Sequence, residues 1–461
     1  MREKAEQAQQ NNLGEGSVGK LLFDLALPAI IAQLVNLLYN LVDRIYIGHI
    51  PGEGDIALTG LGLCAPIIMI VTAFANLFGA GGAPRAAIAM GKNDIKSAEK
   101  ILANCFSLLV IGAVCITFIA EIGGEPLLRL FGASDNTLPY ALSYMRIYVA
   151  GTIFVMISLG LNTFITTQGY AKTAMKTTLI GAICNIILDP IFIFGFHMGV
   201  QGAALATIFS QCVSAIWVLR FLTGNRTKLK IRKENLKVEA SVALPVMALG
   251  IAPFIMTATE SVLNVAFNSS LSKYGGDVAV GAITIISSIM QLQFMPVQGL
   301  SQGAQPIISF NYGAKKMDRV QKTYRLLLIS CLTYTMIFWI IVSLFPETFA
   351  AIFNSSSPEL ISTTVWALRI YMAGSGLFGI QMAVQQTFVS LGQAKLSLFI
   401  ACLRKIILLI PLIYLLPYFF ADKVFAVFLA EPIADIISVT VAGTLFLLNI
   451  NKILGKVKEE L

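Results

Sequence analysis

The feature that most constrains this chain is a series of apolar stretches that recur along the chain, each long enough to cross a bilayer. A membrane-spanning helix needs about 20 mainly apolar residues. The chain is 56% hydrophobic and only 13% charged, whereas soluble domains are about 25% charged. The pattern therefore predicts an all-α integral membrane protein. Its twelve predicted spans lie at residues 20–46, 56–80, 98–120, 139–167, 173–195, 200–222, 241–271, 279–308, 320–344, 363–390, 396–418 and 424–449.

The distribution of Lys and Arg predicts how the spans are oriented. The termini and the connections after even-numbered spans, with the adjoining helix turns, carry 25 basic residues. The other connections carry only Arg129, Lys273 and Lys423. Because cytoplasmic loops are enriched in basic residues, we expect both termini in the cytoplasm and a multi-pass protein of the inner or plasma membrane. These signals also explain the net charge of +8 without a nucleic-acid partner.

The second half of the chain repeats the first. The segment after span 2, at 82–100, resembles the segment after span 8, at 303–322, with Pro84 paired with Pro306. Further on, RIYVAG at 146–151 is repeated as RIYMAG at 369–374. Since each half holds six spans, both halves enter the membrane in the same direction. The repeat predicts two six-helix bundles related by a pseudo-two-fold axis along the membrane normal.

This repeat also sets the expected domain boundaries. Residues 1–223 form the first lobe with spans 1–6, and residues 240–461 form the second lobe with spans 7–12. Residues 224–239, the most basic segment, connect the lobes on the predicted cytoplasmic side. We interpret that segment as an orientation signal and a solvated linker and not as a binding patch.

Span 1 carries a stripe of polar side chains that ends in an acid. The stripe consists of Gln33, Asn36, Asn40 and Asp43, whose spacing places them on one face of a helix. An aspartate at the centre of a bilayer costs about 2.5–3.5 kcal/mol on insertion scales. The stripe therefore indicates a functional, substrate-facing surface, with hydrogen bonding to a neighbouring helix as the alternative.

The second lobe begins in the same way. Pro253 corresponds to Pro28 of span 1. It is followed on one helical face by Thr257, Glu260 and Asn264. A proline inside a span removes a backbone hydrogen bond and leaves a point where the helix can bend. Each lobe is therefore predicted to begin with a kinked helix that has a polar face and one acid.

Span 5 adds a further acid to the first lobe. Asn185 and Asp189 lie four residues apart on one helical face, directly before Pro190. From a rise of about 1.5 Å per residue, Asp43, Asp189 and Thr207 of span 6 all fall in the outer half of the membrane. On this basis only the first lobe is expected to combine two acids at one depth.

The chain resembles the multidrug and toxic compound extrusion (MATE) transporters, in their bacterial DinF/MepA-like branch. The resemblance covers nearly the whole chain, from the segment beginning at Pro28 through the repeated Pro/Gly loops to ILDPIFIFG at 187–195. By this resemblance, the first-lobe cation-coupling site consists of Asp43, Asn185, Asp189 and Thr207. Pro28 is then the gating hinge and Glu260 a second-lobe acid connected with coupling. The chain differs from members with a late second-lobe aspartate, because span 10 offers only Gln381, Gln385 and Gln386.

Two coupling ions fit these residue types. A desolvated carboxyl group beside a second one can exchange protons near neutral pH, whereas two acids with an amide and a hydroxyl can hold Na⁺. The residues leave H⁺ and Na⁺ both open as coupling ions, and no other cofactor is expected. The expected substrates are amphipathic organic cations, which suit acids placed among aromatic and Met side chains.

Other polar residues inside the spans have weaker interpretations. Gln291 and Gln293 of span 8 are interpreted mainly as interhelical hydrogen-bonding groups. Arg404 of span 11 is expected either to pair with Glu260 or to extend to the cytoplasmic interface.

Three other functions remain to be separated from drug export. The chain has no metal-ligand cluster and no nucleophile–base set, so we do not expect an enzyme. A flippase for lipid-linked precursors, from the same superfamily, is one alternative, although its central cavity is expected to be basic and the first lobe here is acidic. A passive channel or receptor is the other. We expect the transporter to act as a monomer with small-molecule substrates in the bilayer.

Overall fold

The computed structural model describes residues 12–353 and 357–459, with side chains to residue 455. In this part of the chain every regular element is helical. Many large apolar side chains lie on the outside, such as Phe118 and Leu447. An exterior of this kind fits a molecule whose solvent is the hydrocarbon of a bilayer. The fold class predicted from the sequence is confirmed.

The first lobe contains six spans. Span 4 is bent by 56° at Gly151, where its two helices meet. Span 5 continues past Pro190 as one turn of π-helix, Ile191–Gly195. The helices are α1 (Val18–Gly48), α2 (Gly54–Gly91), α3 (Ile95–Leu130), α4 (Leu138–Ala150), α5 (Thr152–Thr167), α6 (Ala171–Pro190) and α7 (Gly199–Thr223).

The second lobe repeats this order. Its first helix, α8, runs over 74 residues but contains two spans, because Gly276 has φ 64° and ψ −159° and breaks it. Spans 10 and 11 each contain a turn that is not α-helical, at Met372–Leu377 (3₁₀) and Leu403–Leu409 (π). The helices are α8 (Ala240–Gly313), α9 (Met317–Leu344), α10 (Pro346–Phe353), α11 (Pro358–Tyr371), α12 (Phe378–Ser390), α13 (Ala394–Cys402), α14 (Ile410–Leu415) and α15 (Lys423–Glu459).

The lobes contact each other through spans 1, 2, 7 and 8. A Cβ atom on Gly303 of span 8 would lie 2.6 Å from Cα of Ala26 in span 1, so only glycine permits this approach. Between spans 2 and 7, Asn76 donates a hydrogen bond to Thr257 at 3.1 Å. Phe74 packs edge-on against Phe254 nearby. These contacts lie in the halves of the spans next to the loops that carry most of the basic residues.

We call that end of the molecule the basic face. It is formed by residues 12–17, 92–94, 168–170, 224–239, 314–316 and 391–393. From there the lobe contacts reach to about mid-span, where Ser261 donates a hydrogen bond to the Met69 sulfur at 3.0 Å.

On the basic face, the segment before each lobe's first span binds to the other lobe. Residues before α1 supply backbone carbonyls to the second lobe: Leu13 accepts from Asn311 at 2.8 Å and Gly16 from Arg319 at 2.7 Å. The linker before α8 is anchored to the first lobe, where Gln168 accepts from the backbone of Leu229 at 2.9 Å. Leu229 is fully buried. The linker is thus packed against the first lobe at Leu229 and is not fully solvated, whereas basic side chains such as Lys228, Lys233 and Lys237 are exposed as expected.

Candidate functional site

The structure brings the two first-lobe acids together. Asp43 of α1 and Asp189 of α6 are both buried, and their carboxyl groups lie within hydrogen-bonding range of each other. Asn185, one turn before Asp189, donates a hydrogen bond from Nδ2 to Asp189 Oδ1 at 3.2 Å. Arg44 is the nearest basic group acting on Asp43, and its side chain is exposed. The predicted convergence of spans 1 and 5 therefore occurs at these side chains.

Three buried oxygens of this group have no hydrogen-bond partner. They are Asp43 Oδ1, Asn185 Oδ1 and Asp189 Oδ2. Buried polar atoms without partners are rare, and several at one place call for an explanation. Carboxylate and amide oxygens are the ligands that hard cations prefer, and one shared proton would relieve the repulsion between the carboxyl groups. The donor set thus fits an exchangeable proton or Na⁺.

Tyrosine hydroxyls complete the group and connect it with Thr207. Tyr144 of α4 lies close enough to Thr207 and to Asp43 to interact with both. Tyr39, one turn before Asp43, faces both acids. Thr207 therefore belongs to the same polar network as Asp43, although through a tyrosine. Sequence reasoning missed both tyrosines, because a Tyr in an apolar span gives no signal of which neighbour its hydroxyl meets.

A small polar cavity of about 40 Å³ lies in the first lobe, and its lining includes Asn185 and Thr207 but neither of the two acids. Asn36 of the predicted stripe borders it, while Asn40 is exposed and donates to the Asn36 carbonyl of its own helix at 2.8 Å. Gln33 is half-buried outside the lining. The lining residues are Asn36, Tyr39, Ser158, Leu159, Asn162, Thr177, Thr178, Gly181, Ala182, Asn185, Thr207, Ser210, Gln211 and Ser214.

The local sequence explains why span 5 changes its helix type beside the acid. Pro190 follows Asp189 and lacks the backbone N–H that would continue the α-helical hydrogen bonding. The chain therefore continues as the π-helical turn Ile191–Gly195. Such turns are rare and often mark functional sites.

The second lobe holds a cluster of charged side chains with a different pairing from the one expected. Arg404 contacts Glu431 at 2.6 Å and Asp435 at 2.7 Å, both on α15. Its guanidinium also lies over the Phe378 ring. The predicted alternatives, an ion pair with Glu260 or a position at the interface, were both wrong. Glu260 instead forms an ion pair with Lys405, the residue that follows Arg404 in the chain.

The π-helical turn in span 11 explains how neighbours reach different partners. Leu403–Leu409 is wound more widely than an α-helix, so Arg404 and Lys405 both point into the lobe and are buried. The expectation that only the first lobe has more than one acid was also wrong, because Glu431 and Asp435 join Glu260. Glu431 and Asp435 lie four residues apart beside Pro432, which resembles the arrangement at Asp189 and was a usable signal.

The remaining predicted residues occupy separate places. Gln293 is buried and donates to the carbonyls of Thr335 and Ser375, as expected of an interhelical hydrogen-bonding group. Gln291 and Asn264 border a second cavity of about 160 Å³ between spans 7 and 8. Thr257 lies at the lobe contact described above. The structure therefore does not gather the second-lobe candidates into one site.

The chain is similar in sequence to known exporters. A protein-family model described as MatE matches residues 28–191 and, a second time, residues 252–415. The multidrug export protein MepA of Staphylococcus haemolyticus is 25% identical over 434 residues, which cover 94% of both chains. MepA of Staphylococcus aureus is 23% identical over 402 residues, 87% of both. The double match fits the repeat found in the sequence.

The fold is also similar to solved structures. One is described as the outward-facing conformation of a multidrug resistance MATE family transporter of the MOP superfamily. It has a TM-score of 0.85 at 24% identity and covers 97% of this chain and 98% of that one. A chain described as protein A has a TM-score of 0.89 at 32% identity, with 97% of this chain and 99% of that one covered.

Proposed function

Because the chain belongs to the MATE family of membrane transporters, we propose that it exports amphipathic organic cations by antiport with H⁺ or Na⁺. The family resemblance found in the sequence is confirmed by the family model and by the MepA relatives. The proposed substrates follow from those relatives, whose names describe multidrug export. Acidic side chains inside both lobes, Asp43 and Asp189 in the first and Glu260 in the second, also suit a cationic substrate.

The proposed orientation places the basic face in the cytoplasm, with both termini there. The excess of Lys and Arg on that side supports this orientation. Since the contacts between the lobes lie mainly in the halves next to the basic face, the space between the lobes is closed toward the cytoplasm. The described state is therefore proposed to be outward-facing.

One observation carries the coupling proposal: the buried acids Asp43 and Asp189 lie against each other with three unpartnered oxygens in their group. Two adjacent carboxylates in a water-poor site repel each other, so the site gains free energy when an external H⁺ or Na⁺ enters. Entry of the ion favours return to the inward-facing state, and its release to the cytoplasm resets the site. Each inward charge contributes about 2.3 kcal/mol per 100 mV.

Pro28 is proposed as the hinge that connects the site with the lobe contact. It lies in α1 between Ala26, which contacts Gly303, and Ile30, which contacts Gly299. A bend at Pro28 therefore changes both the lobe contact and the position of Asp43 further along the helix. Glu260 and Arg404 are not assigned to ion coupling, because each is already paired with a charged side chain.

The deciding experiment measures ethidium efflux from proteoliposomes under H⁺ and Na⁺ gradients imposed separately. The parent protein is expected to move ethidium against its concentration gradient with at least one of the two ions. Asp43→Asn and Asp189→Asn should abolish this uphill movement, because each removes one of the two carboxylates that take up the ion. Asp277→Asn, at an exposed acid outside the spans, serves as the matched control and should behave as the parent.

Three results would contradict all or part of the proposal. Downhill but never uphill ethidium movement would identify a passive channel. Absence of ethidium movement together with binding of a lipid-linked precursor would identify a flippase. Unchanged gradient-driven efflux in Asp43→Asn would remove this site from coupling even if the protein exports drugs.

A further inference from the structure

The ion pair of Lys405 with Glu260 is unequal in its exposure. The Lys405 side chain is 5% exposed, whereas that of Glu260 is 49% exposed. Lys405 is fixed by a second hydrogen bond, from Nζ to the Met256 carbonyl at 2.6 Å. The pair thus consists of a buried cation with a second hydrogen-bond partner and a half-exposed acid.

Glu260 lies on span 7, in a stretch of the helix that contacts the first lobe. On the same helix, Thr257 and Ser261 lie three residues before and one residue after Glu260, and both contact span 2 of the first lobe. An exposed carboxylate at this depth would be very unfavourable against lipid. Glu260 is therefore positioned to contact a substrate in the space between the lobes, while Lys405 neutralises its charge from inside the second lobe.

We propose that Lys405 is a tethered counter-cation that determines specificity: it occupies Glu260 in the empty transporter and yields this acid to a cationic substrate. The inference rests on the proposed function, since it concerns how the exported cation is recognised. A substrate that reaches Glu260 has to displace an ammonium group that is already bound there. Lys405 therefore lowers the affinity for cations and favours their release after transport.

A second acid is placed to receive the displaced ammonium group. Glu431 interacts electrostatically with Lys405. Its Oε1 is held by Arg404 at 2.6 Å, while its Oε2 is buried without a hydrogen-bond partner. Lys405 can thus leave Glu260 and form a new ion pair at Glu431 without becoming an unpaired buried charge, which would be strongly unfavourable.

The formal charges of the cluster also fit a monovalent cation. Glu260, Glu431 and Asp435 face only two bases, Arg404 and Lys405. With all five side chains ionised, the cluster has one negative charge in excess. A substrate with one positive charge makes it neutral, whereas an uncharged molecule gains nothing from Glu260.

The test measures binding of ethidium and of an uncharged hydrophobic dye to the purified full-length protein. Lys405→Met is expected to raise ethidium affinity on the order of tenfold, within the 5–150-fold range of typical couplings between sites. Glu431→Gln should lower ethidium affinity several-fold, because the displaced Lys405 then lacks its second partner. Lys405→Arg keeps the charge and should behave like the parent. Affinity for the uncharged dye should stay constant in all variants.

A double variant separates this role from a purely structural one. In the Lys405→Met background, Glu431→Gln should no longer weaken ethidium binding, because no ammonium group has to be accommodated. Equal changes for ethidium and for the uncharged dye, or unchanged ethidium affinity in Lys405→Met, would overturn the proposal. If Lys405→Met does not fold, Glu431→Gln still decides: ethidium binding equal to that of the parent would overturn it.

The failure of this inference differs from the failure of the proposed function. Normal uphill efflux by the parent, with no effect of Lys405→Met on ethidium binding, would remove only the role of Lys405. Selective ethidium binding without uphill efflux by the parent would remove the antiport function and leave the recognition by Glu260 and Lys405 intact.

Discussion

The two lobes arise from one repeat but neutralise their buried acids differently. In the first lobe, Asp43 and Asp189 meet each other, and their group keeps three oxygens without a partner. In the second lobe, Arg404 contacts two acids and Lys405 a third. An acid pair without a built-in cation needs an external ion, whereas an acid that already has one can take up an external cation only by displacing it. The comparison assigns ion exchange to the first lobe and internal compensation to the second.

The largest difference is expected in stability. Arg404→Met leaves Glu431 and Asp435 buried without their cation, and removing one partner of a buried ion pair costs about 3–5 kcal/mol. Asp43→Asn removes a buried charge that has no such partner, so its free energy of unfolding should not fall. Thermal unfolding of the purified variants measures both effects. If Asp43→Asn lost as much free energy of unfolding as Arg404→Met, the two lobes would not differ in how they neutralise their acids.

An intermediate effect is expected when the two kinked helices are straightened. Pro28→Ala and Pro253→Ala each restore a backbone N–H inside a span, so both should stabilise the helix and slow the exchange between states. Pro28→Ala should reduce gradient-driven efflux several-fold more than Pro253→Ala, since only α1 carries an acid of the unpartnered pair. Efflux rates at equal amounts of reconstituted protein, with ethidium affinity as the control, check this. Equal losses in both variants would show that bending matters in both lobes alike.

The smallest expected effect concerns the beginnings of spans 3 and 9. Asp94 caps α3 by accepting a hydrogen bond from the Ser97 N–H at 3.0 Å, whereas α9 begins after Lys316, which has no side-chain cap bond. The hydrogen bonds from Ser97 lower the pKa of Asp94. The stability that the ionised Asp94 cap contributes is therefore fully present above the pKa of an aspartate in the unfolded chain, about 3.9. It is lost as the pH falls through the pKa of Asp94 in the folded protein.

This predicts that Asp94→Ala lowers the thermal midpoint slightly at pH 7, and that the difference from the parent disappears in strong acid. Asp318→Ala, in the first turn of α9, is the control at the corresponding helix. A difference for Asp94→Ala that persists unchanged below the folded-state pKa would show that the cap does not act through its charge.

The sequence determined most of the fold because bilayer thickness limits what an apolar stretch can be. Each of the twelve predicted spans coincides with one described helix or with consecutive helical segments. The repeat and the family follow from local patterns such as RIYVAG and RIYMAG. The sequence also predicted Asp43, Asp189 and Thr207 in the outer half of the membrane, since helical rise and periodicity fix the depth and face of a residue on its own helix.

The tertiary structure alone decided which side chains meet. Helical periodicity does not say how each helix is rotated against its neighbours, so it could not show that Tyr144 lies close to Thr207. Nor could it show that Lys405 forms an ion pair with Glu260 while Arg404 forms ion pairs with Glu431 and Asp435. Those pairs depend on the π-helical turn in span 11 and on the packing of α15 beside it. The sequence determined which spans carry acids, and helix packing decided which of those acids form an ion pair with a basic side chain.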